Sequence, residues 1–395
     1  MIFFLLLFSI GYTLGLVEFK KTNTTINYTY QNHKFLKVLF WTKVCIVIIS
    51  IVQLGSLVSS ISSGTLNLSI SQMGEAYINS YAGYVRGTGH VSLVFLIQTL
   101  TYVPYLVTLI LGSYYFKNLP RSYKVLVVFS YLSIILLQTI GHGKQKQLGD
   151  IIVFIFITQI LKFNLQNKNV RKKIFKKMAI FALLGMSALV TVLYFRYSAL
   201  NINLSNINDH VHPLMKYDIH HWIFKVFGAE IGFPLSVFTG YLSQGYYGLS
   251  LCMQEPFQWT YFVGNSYSLT VFLQRFLHVP VDFHNTYLYR ASLHTGWGDN
   301  KWSTAFAWYA GDLTFVGTLF FFMLVAFLYA KVWKEAYLYK NPISIVLFSM
   351  LTIGLLYIPA NNQLLHTPGS FIAVFCFIIL WIFKHQKFNF YKTKQ

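Results

Sequence analysis

The sequence predicts an all-α polytopic membrane protein with nine to eleven transmembrane helices and one large loop outside the cytoplasm. Only 11% of the residues are charged and 55% are hydrophobic, whereas roughly a quarter of a soluble domain is charged. Several apolar runs have about 17 or more residues, enough to cross a hydrocarbon core of ~30 Å. Lys and Arg collect in every second loop between these runs, as expected of cytoplasmic loops.

Nine apolar segments are the candidates for these helices. They lie near 1–17, 38–61, 91–116, 125–140, 151–165, 178–195, 304–332, 342–358 and 369–384. The first segment has no basic residue before it and no small-residue cleavage pattern. We therefore interpret it as a retained helix and not as a signal peptide.

The charge distribution orients these segments. The basic loops are 20–37, 117–124, 168–177, 331–340 and 384–394. We expect them in the cytoplasm, which places the N-terminus outside and the C-terminus inside. The opposite loops are 62–90, 141–150, 196–303 and 359–368. Most of the net charge of +20 is therefore an orientation signal, and no nucleic-acid partner is expected.

Three parts follow from this topology. They are N-terminal helices over 1–195, a large outer loop over 196–303, and C-terminal helices with a cytoplasmic tail over 304–395. Within the loop, segment 226–252 is apolar but contains Glu230, Pro234 and five glycines. We expect a re-entrant or interfacial element there, with a membrane-spanning hairpin as the alternative.

Several function classes lack their signatures in this chain. It contains no P-loop, no GxGxxG, no HExxH and no DxD-type carboxylate pair, so neither an ATP-driven pump nor a soluble-type nucleotide-sugar transferase is indicated. The three cysteines form no CxxC, and the histidines near 210–221 match no metal-site spacing. No cofactor and no metal are expected. Chemistry in the outer loop would then use a donor that arrives from the membrane.

Cations in the outer loops are the candidates for binding a phosphate group. They are Arg196, Arg275, Arg290 and Lys144. Arginine binds phosphate through two parallel hydrogen bonds and stays charged. Each cation alone has a structural or headgroup-binding alternative, but as a set they favour a pyrophosphate clamp. Among the many aromatic residues of the loop, Tyr247 and Trp302 are candidates for stacking on sugar rings, with anchoring at the membrane interface as the alternative.

Acid–base candidates lie in the same stretch. Asp299, Asp282 and His284 are the preferred candidates for a base that accepts a hydroxyl proton. Asp312 lies within an apolar segment, where an ionisable residue is functional or internally paired. A catalytic role and a role in helix packing are both open for it. Glu230 and His294 are further acid–base candidates.

A family resemblance rests on this region. The runs YLSQGYYGLSLCMQEPFQWTYFVGNS, NTYLYR and GWGDNKWSTAFAWYAGDLTFVGTLFF resemble bacterial O-antigen polymerases of the Wzy type, most strongly over about 230–330. The run HNTYL over 284–288 is similar, more distantly, to O-antigen ligases. The family commonly has a glycine-flanked Arg in its short outer loop, where this chain has Lys144.

The resemblance implies a GT-C-like, metal-independent glycosyltransferase of the bacterial inner membrane. Such an enzyme polymerises oligosaccharide repeat units carried on undecaprenyl pyrophosphate at the periplasmic face, so the large loop would be periplasmic. The product would be O-antigen or capsular polysaccharide. The implied partners are the lipid-linked oligosaccharide, membrane lipids, and the flippase and chain-length regulator of the same pathway.

Two other functions compete with this expectation. A flippase or another transporter predicts charges near mid-membrane on several helices. In this chain few charges lie near mid-membrane, and the outer loop is long. An O-antigen ligase differs only in the acceptor, which composition does not identify.

Overall fold

The computed structural model describes residues 2–17, 28–64, 66, 69, 72–86, 93–162, 168–279, 282–298 and 301–392. For some helical residues it describes the backbone alone: 28–34, 80–86, 93–95, 168, 170, 267, 268, 271, 275, 276 and 384–392. Every regular element in the described ranges is a helix, and none of them is a strand. The predicted all-α class is confirmed.

The α-helices of these ranges are numbered in chain order. They are α1 (Ile2–Val17), α2 (Tyr28–Ser62), α3 (Met73–Arg86), α4 (Leu93–Leu100), α5 (Tyr102–Tyr114), α6 (Arg121–Ile134), α7 (Lys146–Lys162), α8 (Lys168–Ala199), α9 (Ile207–His210), α10 (Trp222–Cys252), α11 (Tyr267–Phe276), α12 (Tyr287–Thr295), α13 (Ala305–Leu338), α14 (Pro342–Leu356) and α15 (Pro368–Lys392). A π-helical turn (Ile135–Ile140) extends α6. A 3-10 turn (Phe283–Asn285) precedes α12.

Five helices in the described ranges are long and apolar enough to cross a membrane. These stretches are Phe35–Ser62, Arg121–Ile140, Arg171–Ala199, Trp222–Cys252 and Ala305–Leu338. The shorter apolar helices are Ile2–Val17, Tyr102–Tyr114, Pro342–Leu356 and Pro368–Phe383. The chain is accordingly a membrane protein built from helices.

Two predicted segments contain a break in the helix. The expected span 91–116 is two helices, α4 and α5, which meet at Thr101 shortly before Pro104. A proline ring disfavours a continuous helix at this point. Segment 226–252 belongs to α10, which is kinked at Gly228 (φ 72°, ψ 171°) and helical beyond that residue. Its re-entrant or interfacial position, with a membrane-spanning hairpin as the alternative, stays a prediction.

The described chain packs as two compact units. The first comprises Met1–Phe40, Gln98–Leu106 and Leu242–Gln395, and the second comprises Trp41–Ile97 and Val107–Tyr241. These units are defined by packing. The division into 1–195, 196–303 and 304–395 concerns the sides of a membrane and stays a prediction.

In the first unit, α1 runs beside the later part of α13 in the same direction. Phe4 packs edge-on against Phe306 and Phe322, with ring centroids 5.0 and 5.6 Å away. Further along, a Cβ on Gly11 would lie 2.1 Å from the carbonyl oxygen of Met323. Small residues of this kind let two helix backbones approach closely in a membrane. Helices α1 and α13 are therefore in close backbone contact.

Helix α13 has a break at Thr314 (φ 64°, ψ 168°). Positive φ is unfavourable for a β-branched residue, so surrounding contacts must hold it. The stretch before the break, 305–312, is buried throughout. Ala305, Phe306 and Tyr309 form a core cluster with Phe322 and Ile358.

In the second unit, the end of α8 packs against α9 and the first part of α10. Leu193, Ile207, Phe233 and Val237 form the buried cluster between these elements. On the other side of α8, a Cβ on Gly74 of α3 would lie 2.5 Å from the carbonyl oxygen of Arg196. Helices α3 and α8 are therefore in close contact.

Candidate functional site

Two glycines let the end of α10 approach the rest of the first unit. The Gly245 carbonyl accepts a hydrogen bond from the Thr304 amide (3.2 Å), and a Cβ on Gly245 would lie 1.8 Å from the carbonyl oxygen of Pro359. One turn later, a Cβ on Gly248 would lie 2.4 Å from the indole nitrogen of Trp297. Larger residues would clash at both positions, so the glycines determine where Cys252 and Glu255 lie.

The short helix α12 has clear signals at both ends. The Thr286 hydroxyl caps its start by accepting from the Tyr289 amide (3.3 Å). Gly296 ends it in the left-handed conformation (φ 70°), which glycine adopts without steric cost. Between these ends, Arg290 and His294 are four residues apart and share one face of the helix. Both side chains reach Glu255.

Arg290 is a buried cation with free hydrogen-bonding capacity. Its residue is 9% exposed, and Nε donates to the carbonyl oxygen of Asn285 (3.2 Å). Nη1 lies 3.8 Å from Glu255 Oε2, which is an ion pair but too long for a hydrogen bond. Among the described residues, neither Nη1 nor Nη2 has a hydrogen-bond partner. The guanidinium is therefore paired with one carboxylate, and its two buried end nitrogens have unused hydrogen-bonding capacity among the described residues.

Glu255 connects Arg290 with His294. Its side chain is only 9% exposed, whereas that of His294 is 68% exposed. Glu255 Oε1 lies 2.7 Å from His294 Nδ1. A carboxylate at this distance accepts a hydrogen bond from Nδ1–H, so Nε2 is the acceptor nitrogen of the neutral ring. His294 is therefore an exposed histidine whose ring is oriented by a buried carboxylate.

Tyr247 and Cys252 of α10 contact residues that follow α12. Tyr247 packs edge-on against Trp297 at 4.9 Å, and the Trp297 indole donates to the carbonyl oxygen of Trp302 (3.3 Å). The Sγ of the buried Cys252 lies 4.0 Å from the hydroxyl of Ser303. The predicted sugar-stacking residues Tyr247 and Trp302 are thus linked through Trp297, which is 2% exposed.

Tyr287, beside Arg290, has altered acidity. Burial raises the pKa of the Tyr287 hydroxyl, and the Arg290 guanidinium, 5.1 Å from that ring, opposes the rise. After α12, burial also lowers the pKa of the Lys301 ammonium group.

Asp282 and His284 form a second carboxylate–histidine pair just before α12. Asp282 Oδ1 accepts from the His284 backbone amide (2.8 Å) and lies 2.5 Å from His284 Nδ1. Their side chains are 50% and 61% exposed. The His284 ring contacts that of Tyr289 at 4.2 Å. These two preferred base candidates are therefore in direct contact, in an open local turn.

Asp312 holds a strained loop. Its carboxylate accepts from the Thr260 hydroxyl and from the backbone amide and side chain of Asn265, the latter two at 3.2 and 2.7 Å. Between these partners, Tyr261 and Phe262 have φ values of 54° and 62°, which cost energy in side chains of this size. Both oxygens of Asp312 are engaged, so these contacts favour the packing role over the catalytic one.

In the second unit, Arg196 and the turn before Lys144 both contact Tyr77. The Arg196 guanidinium lies 3.4 Å from the centre of the Tyr77 ring, a favourable cation–π contact. A Cβ on Gly143 would lie 2.9 Å from the Cβ of Tyr77. Lys144 is exposed, and Lys146 pairs with Asp150 at 2.5 Å. Arg196 therefore has a specific packing partner, whereas a phosphate role for it and for Lys144 stays a prediction.

Two predicted site residues have side chains that the structure does not describe. Asp299 lies outside the described residues, and so does the side chain of Arg275, whose backbone belongs to α11. Among the described residues, no group of three or more His, Cys, Asp or Glu side chains is placed to hold a metal ion.

Glu255 is the site residue that sequence reasoning missed. It follows an apolar helix in the run QEPF. A carboxylate at the end of an apolar helix is the sequence signal that could have identified it.

The comparisons with known proteins give no relative: no family model, no curated protein and no solved structure matches this chain.

Proposed function

We propose that the chain is a membrane-embedded glycosyltransferase that polymerises oligosaccharide repeat units carried on undecaprenyl pyrophosphate. It transfers the growing glycan from its carrier to the non-reducing end of the next lipid-linked unit. The observation that carries this proposal is the buried Arg290, whose two end nitrogens have no hydrogen-bond partner among the described residues. A diphosphate supplies the acceptor oxygens that these nitrogens lack.

The chemistry requires such a cation because the leaving group is a diphosphate. As the bond to the anomeric carbon breaks, negative charge develops on the phosphate oxygen. A fixed donor in a water-poor site stabilises that charge, and losing one such donor lowers kcat by roughly 10²–10³-fold. Arg290 meets this requirement because its position is fixed by Asn285 and Glu255. The arginine neutralises the leaving group, so the proposal needs no metal.

An aromatic cluster formed by α10 and the segment after α12 suits a glycan. Tyr247, Trp297 and Trp302 lie together there, and aromatic rings pack on the apolar faces of sugars. Donor and acceptor held side by side there would gain the advantage of proximity. The basic-loop pattern assigns this stretch to the non-cytoplasmic side. The proposal therefore includes the periplasmic face of the bacterial inner membrane, with a periplasmic N-terminus and a cytoplasmic C-terminus.

The test is the glycan profile of a deletion strain that carries plasmid copies of the gene. The wild-type gene should restore long chains. Arg290→Ala should leave lipid-linked single units accumulating at a normal protein level. Arg290→Lys should restore chains only in part, because lysine keeps the charge but loses the two-pronged geometry. Arg171→Ala removes an exposed arginine from the opposite predicted side and serves as the matched control.

Other outcomes would identify the competing functions. Long chains with Arg290→Ala would remove Arg290 from the mechanism. Single units trapped on the cytoplasmic leaflet of the deletion strain would indicate a flippase. Full-length chains that remain on the lipid carrier and never reach the lipid A core would indicate a ligase.

A further inference from the structure

The binding of a diphosphate by Arg290 does not explain the contact between Glu255 and His294. It joins residues 39 positions apart in the chain, so it depends on the tertiary fold and not on a local turn. The carboxylate is buried and the imidazole is exposed. Burying a carboxylate is unfavourable unless it is paired, and here one carboxylate serves two partners, Arg290 and His294.

We infer that His294 is the catalytic base that accepts the proton of the acceptor hydroxyl, and that Glu255 is the positioning residue that orients it. This inference rests on the proposed polymerase function. The Nδ1 proton of His294 points to Glu255, so Nε2 is the nitrogen that accepts. Arg290 lies one helical turn away on the same face, about 6 Å between Cβ atoms. The base would thus stand beside the cation that binds the leaving group.

The step balances as follows. The acceptor hydroxyl gives its proton to Nε2 of His294, and its oxygen forms the new bond to the anomeric carbon of the donor glycan. The bond between that carbon and the diphosphate oxygen breaks, and the electron pair leaves with undecaprenyl pyrophosphate. Arg290 holds the departing charge, and Glu255 stabilises the imidazolium until its proton passes to water.

The pair of Asp282 and His284 competes for this role. Their contact spans two residues and includes a backbone hydrogen bond to the same carboxylate oxygen, as in an ordinary turn. Both side chains are at least half exposed. Glu255 differs because it is shielded from water, and shielding strengthens its interaction with an imidazolium. It also links the histidine directly to Arg290, which the described contacts of Asp282 do not.

Two charged groups lie beside His294 in the described contacts. They are Glu255, which is 2.7 Å from Nδ1, and Arg290, which is one helical turn earlier on α12. A base of this kind accepts a proton only when its ring is neutral, so kcat/KM should fall at low pH.

The experiment measures the pH dependence of polymerisation by purified protein in liposomes that contain undecaprenyl-pyrophosphate-linked repeat units. His294→Gln should lower kcat by about 100-fold or more and abolish the fall of activity at low pH. Glu255→Gln should lower kcat with little change in KM, because a neutral amide no longer stabilises the imidazolium. His220→Gln replaces an exposed histidine elsewhere and is the matched control. The side chain of His294 is 68% exposed, so its replacement should lower the unfolding temperature only slightly.

The outcomes separate the two proposals. If the wild-type protein makes no polymer under any condition, the polymerase function fails and this inference fails with it. If the wild-type protein is active and His294→Gln keeps its rate and pH profile, only the assignment of His294 fails. Loss of the low-pH fall in His284→Gln, with an unchanged profile in His294→Gln, would transfer the role to His284.

Discussion

Arg290 shows how burial distinguishes a candidate ligand site from a surface charge. Removing an ion from water costs several kcal/mol even after relaxation, so a buried arginine is normally fully hydrogen-bonded. Arg290 makes one hydrogen bond through Nε and one long ion pair with Glu255. The remaining capacity is what favours a phosphate ligand over a purely structural role.

At the same scale, Glu255→Ala should destabilise the protein. Arg290 would be left buried without its counter-ion, and breaking such a pair typically costs about 3–5 kcal/mol. Thermal unfolding of the purified protein in detergent measures the effect. His294→Ala removes the exposed partner of the same carboxylate and should lower the unfolding temperature much less. An unchanged unfolding temperature in Glu255→Ala would show that the ion pair contributes little.

Asp312→Ala should act on stability first and on activity only as a consequence. It leaves the Thr260 hydroxyl and two Asn265 donors without their acceptor, and each buried hydrogen bond to a charged group contributes about 1.5–3 kcal/mol. Thr260→Val removes one of these bonds and should show a smaller loss. If Asp312→Ala unfolds at the wild-type temperature but makes no polymer, the catalytic alternative is correct.

Individual residues were predictable from the sequence to different degrees. Arg290, Asp282 and His284 stand close together in one polar run, and the structure brings the last two into contact. Glu255 was missed because its partner His294 is 39 residues away. Its burial depends on how α10 packs against α12, and hydropathy carries no information on that packing.

At the scale of elements, long apolar runs predicted helices well and irregular runs did not. Segment 226–252 suggested a re-entrant or interfacial element, with a hairpin as the alternative, because it contains Glu230, Pro234 and five glycines. The structure puts these residues to other uses. Gly228 forms the kink of α10. Pro234 follows shortly after it, and because proline has no backbone N–H, the helix loses one hydrogen bond there. Gly245 and Gly248 serve close packing, which composition does not distinguish from flexibility.

Gly245→Ala tests this packing. Its Cβ would lie 1.8 Å from the carbonyl oxygen of Pro359, so α10 would have to move away from its neighbours. We expect a lower unfolding temperature and reduced polymerisation together, since Cys252 and Glu255 follow on the same segment. Gly55→Ala in α2 is the control, because a Cβ there meets nothing within 4 Å and alanine favours the helix by about 1 kcal/mol. Equal behaviour of the two variants would contradict this account of α10.

At the scale of the whole molecule, the charge pattern makes the broadest prediction. Five helices in the described ranges have the length and composition of membrane spans. Their orientation rests on the basic loops alone. The proposal requires Glu255, Arg290 and His294 to face the side on which the lipid-linked glycan is polymerised.

Single-cysteine labelling tests the orientation. In a protein in which Cys45, Cys252 and Cys376 are replaced by alanine, Lys216→Cys lies in the predicted outer loop and Lys173→Cys in a predicted cytoplasmic loop. Both positions are exposed. A membrane-impermeant maleimide should label position 216 in intact spheroplasts and position 173 only after permeabilisation. The reverse pattern would place the site on the wrong side for the proposed reaction.

The most direct measurement follows polymer formation by purified protein in liposomes that contain undecaprenyl-pyrophosphate-linked repeat units and carry no ion gradient. The account predicts a ladder of glycan lengths, with one undecaprenyl pyrophosphate released for each linkage formed. It also predicts that Arg290→Ala lowers the initial rate by about 100-fold or more, while Arg171→Ala matches the wild-type protein. Absence of polymer, or an undiminished rate in Arg290→Ala, would contradict it.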